Sequence, residues 1–197
     1  MKKLLFLLFL FLPVAAFSQR FSGGITMGLS ASQIDGDRYA GYNKAGFIGG
    51  MFARTDLTDK TGWQIEIKYI GKGAGKKNDP ENPGYYKVKL HYIEVPLILY
   101  YNFTGKWSGE GGIAPGYLMK AAEDLDGGGF TSPEKPFRDA ELDGLAGINY
   151  NFTDHLRANI RFSYSIIPVR NHPGDQVHFL DRGQYSNVLE FSVYYSL

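Results

Sequence analysis

The chain has 197 residues, with 21 lysines and arginines against 20 aspartates and glutamates, and it contains no cysteine. That even balance offers no basic face for nucleic acid, and without disulfides an exported domain must hold together by hydrogen bonding and packing alone. Glycine, at 25 residues, is enriched over the usual roughly 7 % and aromatics reach 15 %; the mean hydropathy of −0.24 suits a barrel that shows lipid only every second residue.

The first segment, "MKKLLFLLFLFLPVAAFSQ", places two lysines before an uncharged apolar run from Leu4 to Phe17, with Ala16 and Ser18 at the −3 and −1 positions of a cleavage site. It reads as a secretory signal peptide over residues 1–18, removed to leave one exported domain over 19–197. The run is shorter than the about 20 apolar residues of a spanning helix. Ser18 rather than cysteine precedes Gln19, which argues against a lipoprotein anchor at this junction.

Beyond the leader, apolar residues alternate instead of recurring at helical spacing. Phe21, Ile25, Met27 and Leu29 share one parity in the first strand, and the glycine-rich stretch Ala45–Asp56 forms a second strand of ambiguous facing. The third sets Trp63, Ile65, Ile67 and Tyr69 against Gln64, Glu66 and Lys68. The fourth sets Ile93, Val95, Leu97, Leu99, Tyr101 and Phe103 against Tyr92, Glu94, Pro96, Ile98, Tyr100 and Asn102. The fifth carries Trp107, Ile113, Tyr117 and Met119 on one side and Glu110 on the other. The sixth opposes Leu142, Ala146, Ile148, Tyr150 and Phe152 to Asp143, Asn149 and Asn151; the seventh opposes Leu156, Ala158, Ile160, Phe162 and Tyr164 to Arg157, Asn159, Arg161, Ser163 and Ser165. The last runs Leu189, Phe191, Val193, Tyr195 and Leu197 against Glu190, Ser192, Tyr194 and Ser196.

Short connections ("LTDK", "TGK", "TDH") alternate strictly with long ones near 33–44, 71–87, 121–141 and 170–185. The pattern predicts an all-β, eight-stranded, antiparallel up-and-down transmembrane barrel, with tight periplasmic turns and four longer extracellular loops. Trp63, Phe103, Trp107 and Phe152 fall where the turns begin, as an interfacial belt requires. In lipid every backbone group must be paired, so the sheet has to close, and about eight strands leave a lumen just wide enough for side chains.

The inward parity then predicts a structural polar network of Glu66, Lys68, Glu94, Glu110, Asn149, Arg157, Arg161 and Glu190, with Arg157 or Arg161 as the partner of Glu94. Pro96 shares that parity and lacks a ladder donor, so a bulge or break is expected there. The other reading of the charged row is a path for ions or small solutes. For lipid-modifying chemistry the available pairing is His172 or His178 with Ser163 or Ser165, without a supporting motif. His91 and His155 are accounted for by an interfacial strand start and a turn. "GKGAGKK", Gly71–Lys77, lacks the spacing of a phosphate-binding loop and reads as a basic external hairpin tip, with lipopolysaccharide phosphate as its alternative contact. "DLDGGG", Asp124–Gly129, lacks the ligand periodicity of a calcium loop. No catalytic residue, metal or cofactor is called for.

The stretch "YIEVPLILYYNF", together with the leader and the closing "LEFSVYYSL", resembles the PorT-like outer-membrane β-barrel family through Tyr92, Glu94, Pro96, Leu97, Tyr101 and Phe103. The resemblance implies the fold, the outer membrane, and insertion by the barrel-assembly machinery through the last strand. It also implies a possible association with secretion-system components, and it supplies no catalytic residue. The expectation is a monomeric, non-enzymatic barrel in contact with outer-membrane lipid and lipopolysaccharide. It acts structurally, through its loops, or as a secretion accessory; the alternatives are a small-solute channel, a lipid-modifying enzyme and a soluble ligand-binding barrel.

Overall fold

The computed structural model describes residues 21–37, 39, 41–76, 84–171 and 183–197. The expected leader, residues 1–18, lies outside them, as do His172 and His178. Nine strands follow one another: β1 (Phe21–Asp35), β2 (Lys44–Asp56), β3 (Thr61–Gly75), β4 (Lys87–Glu94), β5 (Leu97–Asn102), β6 (Trp107–Asp124), β7 (Ala140–Asn151), β8 (Leu156–Ser165) and β9 (Tyr185–Ser196). β4 and β5 are two halves of one stave, since both lie between β3 and β6. The ring therefore has eight staves, all antiparallel, and it closes where β1 pairs with β9 from Gly24↔Ser196 to Asp35↔Tyr185.

The split falls at Val95–Pro96. Proline cannot donate to the ladder, but neither neighbouring wall is left unpaired there. The Glu66 amide donates to the Pro96 carbonyl at 3.0 Å, and the Val95 amide donates to the Pro115 carbonyl at 2.9 Å.

Facing follows the alternation. Phe21, Met27, Leu29, Ile67, Leu99 and Ile160 point outward and remain exposed, as a lipid-facing surface must. The ambiguous second stave resolves with Ile48 and Phe52 inside and Phe47 and Met51 outside. Near the short turns the outward aromatics touch one another: Phe21 with Trp63, Tyr101 with Phe103, and Trp107, Tyr150 and Phe152 in series. This is the interfacial belt. Among the described residues no helix is long and apolar enough to cross a membrane.

The staves are longer at the loop end than the alternation suggested: β3 continues to Gly75 and β6, with 18 residues, to Asp124. At about 3.3 Å per residue such strands outrun the roughly 25 Å apolar band of an outer-membrane barrel. Above the band the outward face no longer has to be apolar, so the sequence signal fades while the ladder continues.

The three short turns share one construction. Thr58, Thr104 and Thr153 each occupy the second turn position, and each threonine hydroxyl accepts from the amides two and three residues on, at 3.0–3.3 Å. The preceding residue, Leu57, Phe103 or Phe152, donates its amide to the first strand carbonyl after the turn. A side chain here supplies the acceptor that the reversing backbone lacks. Replacing each threonine by valine, which keeps shape and removes the acceptor, is expected to cost about 1 kcal/mol per turn, read as a lower urea midpoint in detergent. Thr131→Val, in the long loop between β6 and β7, serves as the comparison and should shift it less.

Candidate functional site

The lumen is filled by a continuous chain of buried polar side chains, and the register explains its order. Lys68 faces Glu94 directly across β3 and β4, and Arg161 faces Glu190 across β8 and β9. Gly147 lies opposite both Glu110 and Arg161. A Cβ on Gly147 would come within 2.9 Å of the Glu110 carboxylate, so glycine is what lets Arg161 pass over β7 to reach it.

From the periplasmic end, the Arg157 guanidinium lies over the Tyr194 ring (4.5 Å to its centroid) and donates to Gln64 Oε1 at 2.7 Å. Gln64 in turn donates to Glu66 Oε1 at 2.7 Å. Arg161 grips Glu66 with both terminal nitrogens, at 2.9 and 3.2 Å, and turns its Nε to Glu110 at 2.7 Å. Tyr194 Oη also donates to Glu66, while Asn149 and Asn159 donate to Glu110, each at 2.9 Å. Next, Lys68 Nζ sits 2.5 Å from Glu190 and 3.3 Å from Glu94. Lys72 Nζ completes the chain, 2.5 Å from Glu94, 2.6 Å from Asp143 and 3.2 Å from Glu141.

Glu94 thus meets two lysines, not Arg157 or Arg161. Its parity is as expected, but register decides the partner. Arg161 is engaged bidentately one level nearer the periplasm, and Lys68 is the residue across the rung from Glu94. Lys72 escaped notice because its glycine neighbours gave it the look of a loop. It continues the series Glu66, Lys68, Ile70, Lys72 at period two, and it is fully buried. "GKGAG" is therefore strand, not hairpin tip; Lys77 lies outside the described residues. Glu141 and Asp143 join the network through Lys72.

Glu94, Glu141 and Asp143 form the one group of metal-ligand spacing among the described residues, with candidate oxygens within 4.8 Å of one another. The Lys72 ammonium already sits among them and supplies the positive charge a metal would bring. Above it the lumen turns apolar, with Ile34, Ile70, Val88, Leu90 and Val188 packed against Phe137 and Val169 from the loops. Arg170 covers this layer, with its guanidinium 4.2 Å from the Phe137 ring centroid, an ion pair to Glu123 and a 2.7 Å bond to Gln184.

The other candidate groups have local explanations. Ser165 Oγ accepts from the Ser186 amide at 2.8 Å inside the wall. His155 Nδ1 lies 3.0 Å from the Ser196 carbonyl. Asp124 and Asp126 each accept a loop glycine amide at 2.8 Å. Of the family-like residues, Tyr92 and Glu94 enter the lumen, Pro96 marks the break, and Leu97 and Tyr101 face lipid, with Phe103 in the belt at the turn.

A closed ring with an apolar exterior and a salt-bridged interior is a membrane wall, and the sequence profile of the outer membrane protein beta-barrel domain matches residues 17–171. The chain belongs to that family. Solved structures of the same shape include Neisserial surface protein A, with 16 % identity and a TM-score of 0.58, covering 89 % of this chain and 97 % of that one. Another is Ail, the attachment invasion locus protein of Yersinia pestis, in complex with the heparin analogue sucrose octasulfate, with 15 % identity and a TM-score of 0.55, covering 90 % and 99 %. No functionally curated protein matches the sequence. Like other members of the barrel domain family, this protein resides in the outer membrane.

Removing one member of a buried ion pair strands the other, typically at about 3–5 kcal/mol. Arg161→Met is therefore expected to lose at least that much, since two carboxylates depend on it. Adding Glu66→Gln and Glu110→Gln should restore more than half of the loss. Urea unfolding in detergent, followed by tryptophan fluorescence, measures both.

Proposed function

We propose that the protein is a non-enzymatic barrel whose activity resides in its extracellular loops, as a structural or interaction protein of the PorT-like kind or an accessory to protein secretion. The observation that carries this reading is the filled lumen: Arg161, Lys68, Lys72, Tyr92 and Tyr194 are fully buried within it, and an apolar layer tied to the loops covers it. A lumen occupied in this way supports a static role better than a conducting one. The loops, by contrast, present large apolar side chains to solvent, among them Tyr39, Tyr42, Leu125 and Phe130, as contact surfaces for proteins do. Insertion by the barrel-assembly machinery and contact with lipopolysaccharide go with this reading.

Photo-crosslinking from Phe130 on intact cells tests it. Defined protein adducts that disappear on shortening the loop are expected, and an absence of adducts at every loop position would count against it. In planar bilayers the purified protein is expected to give no single-channel steps; regular steps would favour the channel reading. Identical lipid A mass spectra with and without expression are expected for a protein without lipid-modifying activity.

The loop between β1 and β2 carries its own pH dependence. Burial pushes the Asp37 carboxyl up from 3.8 to about 6, although the Tyr39 amide donates to it at 2.8 Å. A folded pKa above the unfolded one means that the native loop holds the proton more tightly. Its stabilisation is complete below about pH 4 and is lost as pH rises through about 6. The contribution of this carboxyl to the urea midpoint in detergent should fall between pH 5 and 7.5. In Asp37→Asn that fall should be absent.

A further inference from the structure

Three lysines from three staves converge on the outer surface at the loop end, two of them by way of a departure from the regular ladder. In β6 the even-numbered residues face the lumen up to Leu118, and Lys120 would follow them. A register shift opposite His91 and Tyr92 instead sets Tyr92 against Leu118 and His91 against Lys120, so Lys120 turns outward. Re-aiming a side chain is a common use of a bulge. Lys89 lies on β4, two residues from His91 and on the same outward face.

Lys44 comes from β2, on the far side of β3. β2 remains paired with β3 only as far as Ile48↔Ile70. Its first residues then lie across the outer face of β3, where the outward positions are Gly71, Gly73 and Gly75. A Cβ on Gly71 would already touch Gly46 Cα at 3.4 Å, and one on Gly75 would lie 3.5 Å from the Asn43 carbonyl, so larger side chains would lift β2 away. From the inner side, Ser30 and Ser32 donate to the Gly71 and Gly73 carbonyls at 2.5 and 3.0 Å and hold the crossing together.

Lys44, Lys89 and Lys120 consequently all act electrostatically on His91, whose Nδ1 lies 2.5 Å from Tyr69 Oη. None of the three forms an ion pair among the described residues. Lys89 rests 3.6 Å from the Phe130 ring centroid and Lys44 donates to its neighbouring Ala45 carbonyl. Like charges repel one another, and here two structural departures, the bulge in β6 and the crossing of β2, bring Lys120 and Lys44 to Lys89. Tyr117 and Met119, both exposed, extend below the cluster into the lipid-facing surface.

We propose that Lys44, Lys89 and Lys120 form a binding site for the phosphorylated headgroup of an outer-leaflet lipid. The His91–Tyr69 pair forms its polar wall, and Tyr117 and Met119 lie along the acyl chains. The height is that of a headgroup, and a multiply charged phosphate ester supplies a counter-charge that the described residues do not place beside the cluster.

The test uses the purified full barrel in detergent micelles, titrated with bisphosphorylated lipid A and with the same lipid after enzymatic dephosphorylation. Binding is read by native mass spectrometry. Each lysine near an anionic membrane surface contributes about 1 kcal/mol, so K44Q/K89Q/K120Q should bind the phosphorylated lipid about 100-fold more weakly. K44R/K89R/K120R should retain binding, and K60Q/K106Q, on the periplasmic turns, should leave it unchanged. Dephosphorylated lipid should bind the wild-type protein about 100-fold more weakly than phosphorylated lipid does. This wild-type comparison decides the matter even if a variant fails to fold. Equal affinity for the two lipids, an unaffected triple glutamine variant, or full displacement by millimolar inorganic phosphate would overturn the proposal; the last would mean a simple anion site.

Discussion

Hydrocarbon offers no partner to a peptide group, and the rest of this structure follows from that constraint. The wall has to close on itself, and closing eight staves leaves an interior only as wide as the side chains that fill it. Half of each stave must then be polar enough to suit that interior and packed enough to exclude a void. Buried charge is costly unless every charge has a partner. The bidentate grip of Arg161 on Glu66 and the position of Lys72 among three carboxylates are what this wall requires of its contents.

The interior is graded along its axis. Toward the periplasm, Arg157, Gln64, Glu66 and Arg161 interlock through directional bonds, which fix rotamers and register together. Toward the loops, Ile34, Val88, Leu90 and Val188 take over, anchored by Phe137 and Val169. The loops are thereby tied to the barrel at their bases.

Much of this was legible in the sequence because alternation and loop length are local quantities. Glu66, Lys68, Glu94, Glu110, Arg157, Arg161 and Glu190 could be assigned to one face by counting in twos. Pairing could not, because a partner depends on the stagger between strands that are far apart in sequence. Glu94 was matched to arginines for that reason, when Lys68 lies across its rung. Lys72 was hidden by the glycines around it, and Lys120 by a bulge that reverses parity within β6. Both are residues for which a one-dimensional pattern fails where the backbone departs from regular pleat. The upper ends of β3 and β6 were missed for a different reason: outside the membrane, solvent stops enforcing the pattern while the ladder goes on.

The pairing of the first strand with the last has a consequence for traffic through the wall. It runs unbroken from Gly24↔Ser196 to Asp35↔Tyr185, the whole length of β9. A barrel that releases cargo sideways into the bilayer needs a weak seam, and here the seam is zipped along its length. Even at Val95–Pro96, where the ladder is interrupted, the carbonyls and amides of the adjoining staves close the gap. Along the described seam and at the break the wall is hydrogen-bonded throughout, so among the described residues it offers no lateral opening toward the bilayer.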